Sequence, residues 1–222
     1  MDSPVSTRFP EQAPGPEGLL ATDEAAEHLT VIRRIMESAT RITVLPARAA
    51  AIGGLLALAG CCASYALTRS LDFAAIGQVS PQRRCAVVGL WVAVATLGIV
   101  VDVLMTVRTA RRRGVSPWPR MSQLAAYAMG PNILIALALS IALARAGLWG
   151  LTPGVWMMCY GAAVWMAGIL SLRAPGWLGA AFMVAGVVTL FWLHAVALVM
   201  VALTFGLGHV AFGVYLLRKF GE

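Results

Sequence analysis

From Pro46 to Leu217 the chain is a succession of long apolar stretches, and these decide what it can fold into. A helix needs roughly 20 apolar residues to cross a bilayer core of about 30 Å. Hydrophobic residues make up 59% of the sequence and charged residues 12%, with a mean hydropathy of +0.80. A water-soluble domain carries about twice that share of charge. The sequence predicts an all-α, polytopic membrane helix bundle, short enough to pack as one domain.

About six spans are expected, near 46–68, 85–107, 121–144, 151–171, 177–193 and 195–217. The last two come from one stretch. Trp177 to Leu217 holds no proline and no Asp, Glu, Lys or Arg, with His194 near its midpoint. A single helix of that length would extend about 60 Å, twice the bilayer core. A tight turn near Leu193–His194 is the cheaper solution; one overlong helix, giving five spans, is the alternative.

Ahead of the first span, residues 1–21 are rich in proline, glycine and acids and are expected to be a disordered tail. Pro10, Glu11, Pro14, Pro16 and Glu17 leave no room for the apolar core of a cleavable signal peptide. An amphipathic helix is predicted over 22–45. Thr22 suits its N-cap, and Asp23 and Glu24 suit the positive end of the helix. Leu29, Ile32, Ile35, Met36, Ala39 and Ile42 recur at steps of three and four, while Glu27, Arg33, Arg34, Glu37 and Arg41 lie mostly elsewhere. Too polar to span, this helix is expected along the cytoplasmic face until Pro46 redirects the chain. The bundle then occupies 46–217, and 218–222 form a cytoplasmic tail.

The net charge of +7 is unevenly spread. Seven of the ten acids precede the first span, and only Asp72, Asp102 and Glu222 follow it. Basic residues sit between spans, where they set topology and meet lipid headgroups, so the bilayer and not nucleic acid is the expected partner. Arg108, Arg111, Arg112, Arg113 and Arg120 form the densest cluster and are placed in the cytoplasm. Alternation then puts both termini, the Arg173 loop and Arg218 and Lys219 inside. The Arg69, Asp72, Arg83 and Arg84 connection falls outside, a mild exception to the rule.

Ionisable groups within spans are expensive and therefore candidates for function. Asp102 lies near the cytoplasmic end of the second span, where pairing with Arg108 or a neighbouring loop arginine competes with a relay role. His209 stands in Phe205-Gly206-Leu207-Gly208-His209, ahead of Phe212-Gly213. Its depth matches that of Tyr160 and Asn132, so the three are expected in one polar layer. That layer is read either as an interhelical hydrogen-bond clamp or as a ligand site, and Pro131 would free a backbone carbonyl beside it. His194 is about 22 Å from His209 along a helix, too far to share a metal or haem, and no cofactor is expected. Cys61, Cys62, Cys85 and Cys159 lack metal or redox spacing and are read as small packing residues. An intramembrane serine protease would need a serine on the fourth span, where Met157-Met158-Cys159-Tyr160-Gly161 has none. No phosphate loop or carboxylate pair is present, and the chain is read as non-enzymatic.

Ile32-Arg33-Arg34-Ile35-Met36-Glu37-Ser38-Ala39-Thr40-Arg41, Trp156-Met157-Met158-Cys159-Tyr160-Gly161 and the Phe205 to Gly213 stretch together resemble a family of uncharacterised bacterial multi-span membrane proteins with an N-terminal amphipathic helix. The similarity covers most of the chain after about residue 27. It implies a bacterial cytoplasmic-membrane protein with the N-terminal helix as an integral part, and it carries no functional residues across.

Two functions of different classes follow. One is a non-enzymatic sensing, regulatory or scaffolding module that acts through a protein partner or a second copy, with the N-terminal helix as the docking element. The other is a small transporter or channel with its site near Asn132, Tyr160 and His209. A water-accessible cavity at His209 would favour the second, and close packing there the first.

Overall fold

A computed structural model describes residues 28–32, 47–112, 114, 120–169 and 173–220. The chain divides into two units, Met1–Thr40 and Arg41–Glu222. In the first, residues 28–32 are helical, with Leu29, Val31 and Ile32 exposed. The rest of the expected amphipathic helix, the 1–21 tail, Pro46, Arg113 and the last two residues lie outside the described residues.

The second unit is helical throughout its described elements. Helix α1 is Ala47–Thr68, α2 is Pro81–Arg112, α3 is Arg120–Arg145, α4 is Thr152–Ile169 and α5 is Arg173–Phe191. Helix α6 is a composite of Ala197–Val201, a π-helical stretch Ala202–Gly208, and His209–Phe220. Short 3-10 turns at Phe73–Gly77, Trp149–Leu151 and His194–Val196 join α1 to α2, α3 to α4 and α5 to α6. Among the described residues, four helices are long and apolar enough to cross a membrane: Ala47–Thr68, Pro81–Arg112, Ala126–Arg145 and His194–Lys219. Gly176–Phe191 is apolar but shorter.

The apolar stretch from Trp177 to Leu217 does break where a turn was expected. The amides of Trp192 and Leu193 both donate to the Val188 carbonyl at 3.0 Å, closing α5 without glycine or proline. Helix α2 is longer than its expected span. Pro81 opens it, where the missing N–H costs nothing, and Arg111 and Arg112 occupy its last turn, where cations suit the helix dipole.

Two antiparallel seams hold the bundle. In the first, Gly154 and Gly161 of α4 face Gly186 and Gly179 of α5. A Cβ on Gly161 would stand 2.7 Å from the Gly179 carbonyl oxygen, and one on Gly179 would stand 2.6 Å from the Gly161 carbonyl oxygen. Backbones this close leave no room for any other residue, the arrangement small residues give membrane helices. In the second seam, α1 meets α6: a Cβ on Gly54 would lie 2.6 Å from the Gly206 carbonyl, and one on Gly213 would lie 2.7 Å from that of Ala47. Cys61, Met157, Phe182, Leu198 and Val201 form the buried core, drawn from α1, α4, α5 and α6.

Helices α2 and α3 stand outside this centre. Helix α2 lies chiefly on α1, where Trp91 and Val94 cover Gly60, and only Val87 and Ala110 are buried along it. Helix α3 lies chiefly on α4, tied by the Trp156 indole N–H donating to Ser140 Oγ at 2.8 Å. Val92, Leu97, Ile99 and Leu104 of α2, like Leu134, Ile135 and Ile141 of α3, are exposed.

The three 3-10 turns meet at one end of the unit. The Leu198 amide donates to the Leu71 carbonyl at 2.9 Å. Arg84 donates to the carbonyls of Ile76 and Gly77 at 3.1 and 2.8 Å, and its guanidinium lies 6.0 Å from the centre of the Trp149 ring. Asp72 Oδ1 accepts from the Ala74 amide at 2.8 Å as an N-cap. The charges that stood as an exception to the topology rule are therefore partly spent on structure: Arg84 and Asp72 pin the turns.

Candidate functional site

Local chain geometry places His209 at the end of an unusual segment. Ala202–Gly208 is π-helical, a form that occurs mostly as single-turn bulges and often at functional sites. Gly206 lets α1 approach so closely that a Cβ there would lie 2.5 Å from Leu58 Cδ2. Thr204 Oγ1 returns to the Met200 carbonyl at 2.7 Å, satisfying one acceptor within the widened turn. The wider winding sets His209 on the side of α6 that faces α4 and α5.

Tyr160 of α4 meets it there. The phenol oxygen and His209 Nε2 are 2.7 Å apart. The tautomer of the imidazole sets which of the two groups donates. Nδ1 itself is buried and closes no hydrogen bond of good geometry. Three aromatic rings enclose the imidazole. Phe182 meets it edge-on at 5.3 Å and 84°, Phe205 stacks at 6.0 Å and 8°, and Tyr160 is tilted at 5.4 Å. Phe182 and Phe205 also pack against each other at 4.9 Å, edge to face, the geometry aromatic quadrupoles prefer. His209 thus sits in a packed aromatic tetrad.

Of the three residues expected in one layer, Asn132 bonds elsewhere: its amide donates to the Ala128 carbonyl of its own helix at 3.1 Å, and no hydrogen bond joins it to Tyr160 or His209 among the described residues. Pro131, inside α3, removes the amide that would bond the Tyr127 carbonyl, and Asn132 spends its own donor one residue further along. Asp102 is exposed on α2 and has neither a hydrogen bond nor an ion pair among the described residues, Arg108 included. Six residues is about one and two-thirds turns, so Arg108 leaves α2 on a different face. Phe182, which completes the tetrad, carried no signal in the sequence; Phe205, four residues before His209, stood in the glycine-rich motif.

Among the described residues no group of three His, Cys, Asp or Glu side chains is placed to hold a metal ion. His194 is exposed at the turn end. The cysteines are free thiols, with Cys61 in the core and Cys62 and Cys85 exposed. No family model, curated protein or solved structure matches the chain.

Proposed function

We propose that this chain is a non-enzymatic module of the bacterial cytoplasmic membrane that works through a partner within the bilayer, in a sensing, regulatory or scaffolding role. On this reading α1 to α6 are six spans with both termini cytoplasmic. Helices α4 and α5, with 18 and 19 residues, extend about 27 and 28 Å, close to the thickness of a bilayer core. Arg48 at the start of α1, Arg111 and Arg112 at the end of α2, and Arg218 and Lys219 at the end of α6 gather away from the 3-10 turns, which favours that end as the cytoplasmic one. The resemblance carried by residues 32–41, 156–161 and 205–213 supports a bacterial inner-membrane protein.

Asp102 carries the partner reading. It is an exposed carboxylate without an ionic partner among the described residues, on a helix seamed to the bundle along one side only. A carboxylate within a span normally pairs or lines a cavity, because hydrocarbon does not solvate it. A cationic or hydrogen-bonding side chain on a neighbouring protein's helix would meet that need. The aromatic packing of His209 argues in the same direction, since it fills the centre where a solute would pass.

A photo-crosslinking residue at Ile99, one turn before Asp102 and exposed, tests this in cell membranes. A discrete protein adduct is expected, and Asp102→Asn should abolish it while the chain remains folded. Only lipid adducts, unchanged in Asp102→Asn, would overturn the reading.

A small transporter is the second reading, favoured by one observation: the Tyr160 phenol and the His209 imidazole are 2.7 Å apart within the bundle. Phenol and imidazole in hydrogen-bond contact are parts of a proton relay. Proton uptake into liposomes holding the purified chain, lost in His209→Gln, would support it; flux equal to empty liposomes would remove it.

A further inference from the structure

The face of α6 that carries Gly208, Ala211, Tyr215 and Arg218 forms a shallow, open trough. Two adjoining depressions of about 650 and 500 Å³ run along it. Gly208 and Ala211 form a floor of small side chains. Trp177 and Leu178 of α5 and Phe212 wall the inner part, and Tyr215 stands where the two depressions meet. Arg218 and Lys219 line the outer end.

Polarity along this groove is graded in one direction. The four face residues fall on one side of a helix, and 208 to 218 covers about 15 Å of axis. The inner end is apolar and begins one residue from His209, while the outer end is cationic. Lys219 Nζ donates to the Tyr215 hydroxyl at 2.8 Å and lies 5.3 Å from the centre of its ring, which holds the ammonium at the groove's rim. Tyr215 stands beside the basic end, the depth at which such rings sit in a membrane interface.

We infer that this groove binds one anionic phospholipid, with its phosphate against Arg218 and Lys219 and an acyl chain lying over Ala211 and Gly208. Charge and orientation select that occupant. A soluble anion would use the cationic end and leave the apolar floor empty. A partner helix would have no need of a cation at one end only. An anionic amphiphile in the adjacent leaflet presents its phosphate at the depth of Arg218 and its hydrocarbon toward the bilayer centre. The inference does not depend on the partner proposed for α2.

Native mass spectrometry of the full chain, released from nanodiscs of phosphatidylcholine mixed with phosphatidylglycerol, tests it. One retained phosphatidylglycerol is expected, and phosphatidylcholine is not. Arg218→Gln with Lys219→Gln should weaken retention roughly ten- to thirtyfold, given the usual contribution of each basic residue near an anionic membrane. Ala211→Phe, which fills the floor without altering charge, should weaken it comparably. Arg111→Gln with Arg112→Gln removes the same charge from the end of α2 and should leave retention unchanged. Equal retention of both lipids, equal loss in the α2 variant, or full retention in Ala211→Phe would each overturn the inference.

Discussion

The Tyr160 hydroxyl lies 2.7 Å from His209 Nε2, across the contact between α4 and α6. It is the one side-chain hydrogen bond shown between those two helices among the described residues, and it is enclosed by aromatic rings. Removing either partner leaves the other facing Phe182 and Phe205, which offer it nothing.

Tyr160→Phe is expected to lower stability by about 1 kcal/mol, because Nε2 of the imidazole loses its partner in a site that admits no strong substitute. His209→Gln should lose less, since an amide can still accept from the phenol. The coupling between the two positions, from a double-mutant cycle of unfolding in mixed detergent micelles, should be close to the average of about 0.6 kcal/mol found for membrane hydrogen bonds. A coupling indistinguishable from zero would mean that the contact does not hold α4 to α6.

Glycine replacements should separate the seams from the lipid face. Gly161→Ala places a methyl 2.7 Å from the Gly179 carbonyl oxygen, so the α4–α5 backbones must part, at a cost of about 1–3 kcal/mol. Gly89→Ala meets nothing within 4 Å on the outer helix α2 and should be neutral, or stabilising by roughly 0.5–1 kcal/mol through helix propensity. Thermal midpoints of the two variants in one detergent provide the comparison. Equal effects would show that the seam is looser than the backbone contact implies.

Arg84→Ala should loosen the turn end without unfolding the bundle. The bonds to the Ile76, Gly77 and Val79 carbonyls and the contact with the Trp149 ring disappear, which exposes the peptide between Asp72 and Ser80. Faster proteolysis within 72–80 is expected, with the helical circular dichroism unchanged. Arg83→Ala makes a control, because the Arg83 guanidinium takes no part in these contacts. Equal protection in both variants would count against a pinning role for Arg84.

An alkaline phosphatase reporter placed after Leu193 should be active, and one placed after Phe220 inactive, if the α5–α6 turn is periplasmic and the C-terminus cytoplasmic. The reverse pattern would invert the whole topology, since every helix is antiparallel to its neighbour in sequence.

Much of this architecture was legible because lipid imposes simple rules on sequence. Apolar length located the helices, and the length of the Trp177–Leu217 stretch required a break that falls at Trp192–Leu193. The pairing of Tyr160 with His209 followed from depth, which residue counts supply. Rotation about the helix axis is what residue counts leave open. Asn132 sits on α3, outside α4, and turns its amide onto its own helix. Phe182 was invisible for a related reason: in an unbroken apolar run, nothing distinguishes the side chain that faces a histidine from those that face lipid. The pinning role of Arg84 was hidden too, because its acceptors are backbone carbonyls, which every residue has.

The π-helical stretch in α6 makes that helix unusually sensitive to the number of residues it contains. A π bulge holds one more residue than the α-helical turn it replaces. Deleting a single residue between Ala202 and Gly208 should let α6 relax into plain α-helix, turning everything beyond by about 100°. His209 would then leave the ring of Tyr160, Phe182 and Phe205, and Gly213 would no longer face Ala47 and Ala51. Beyond the start of the bulge α6 must meet two sets of neighbours at once, with His209 toward α4 and α5 and with Gly206 and Gly213 against α1, and the extra residue keeps both in phase. The loss of one residue from the register of this helix, with the apolar character of the chain all but unaltered, would undo the centre of the bundle.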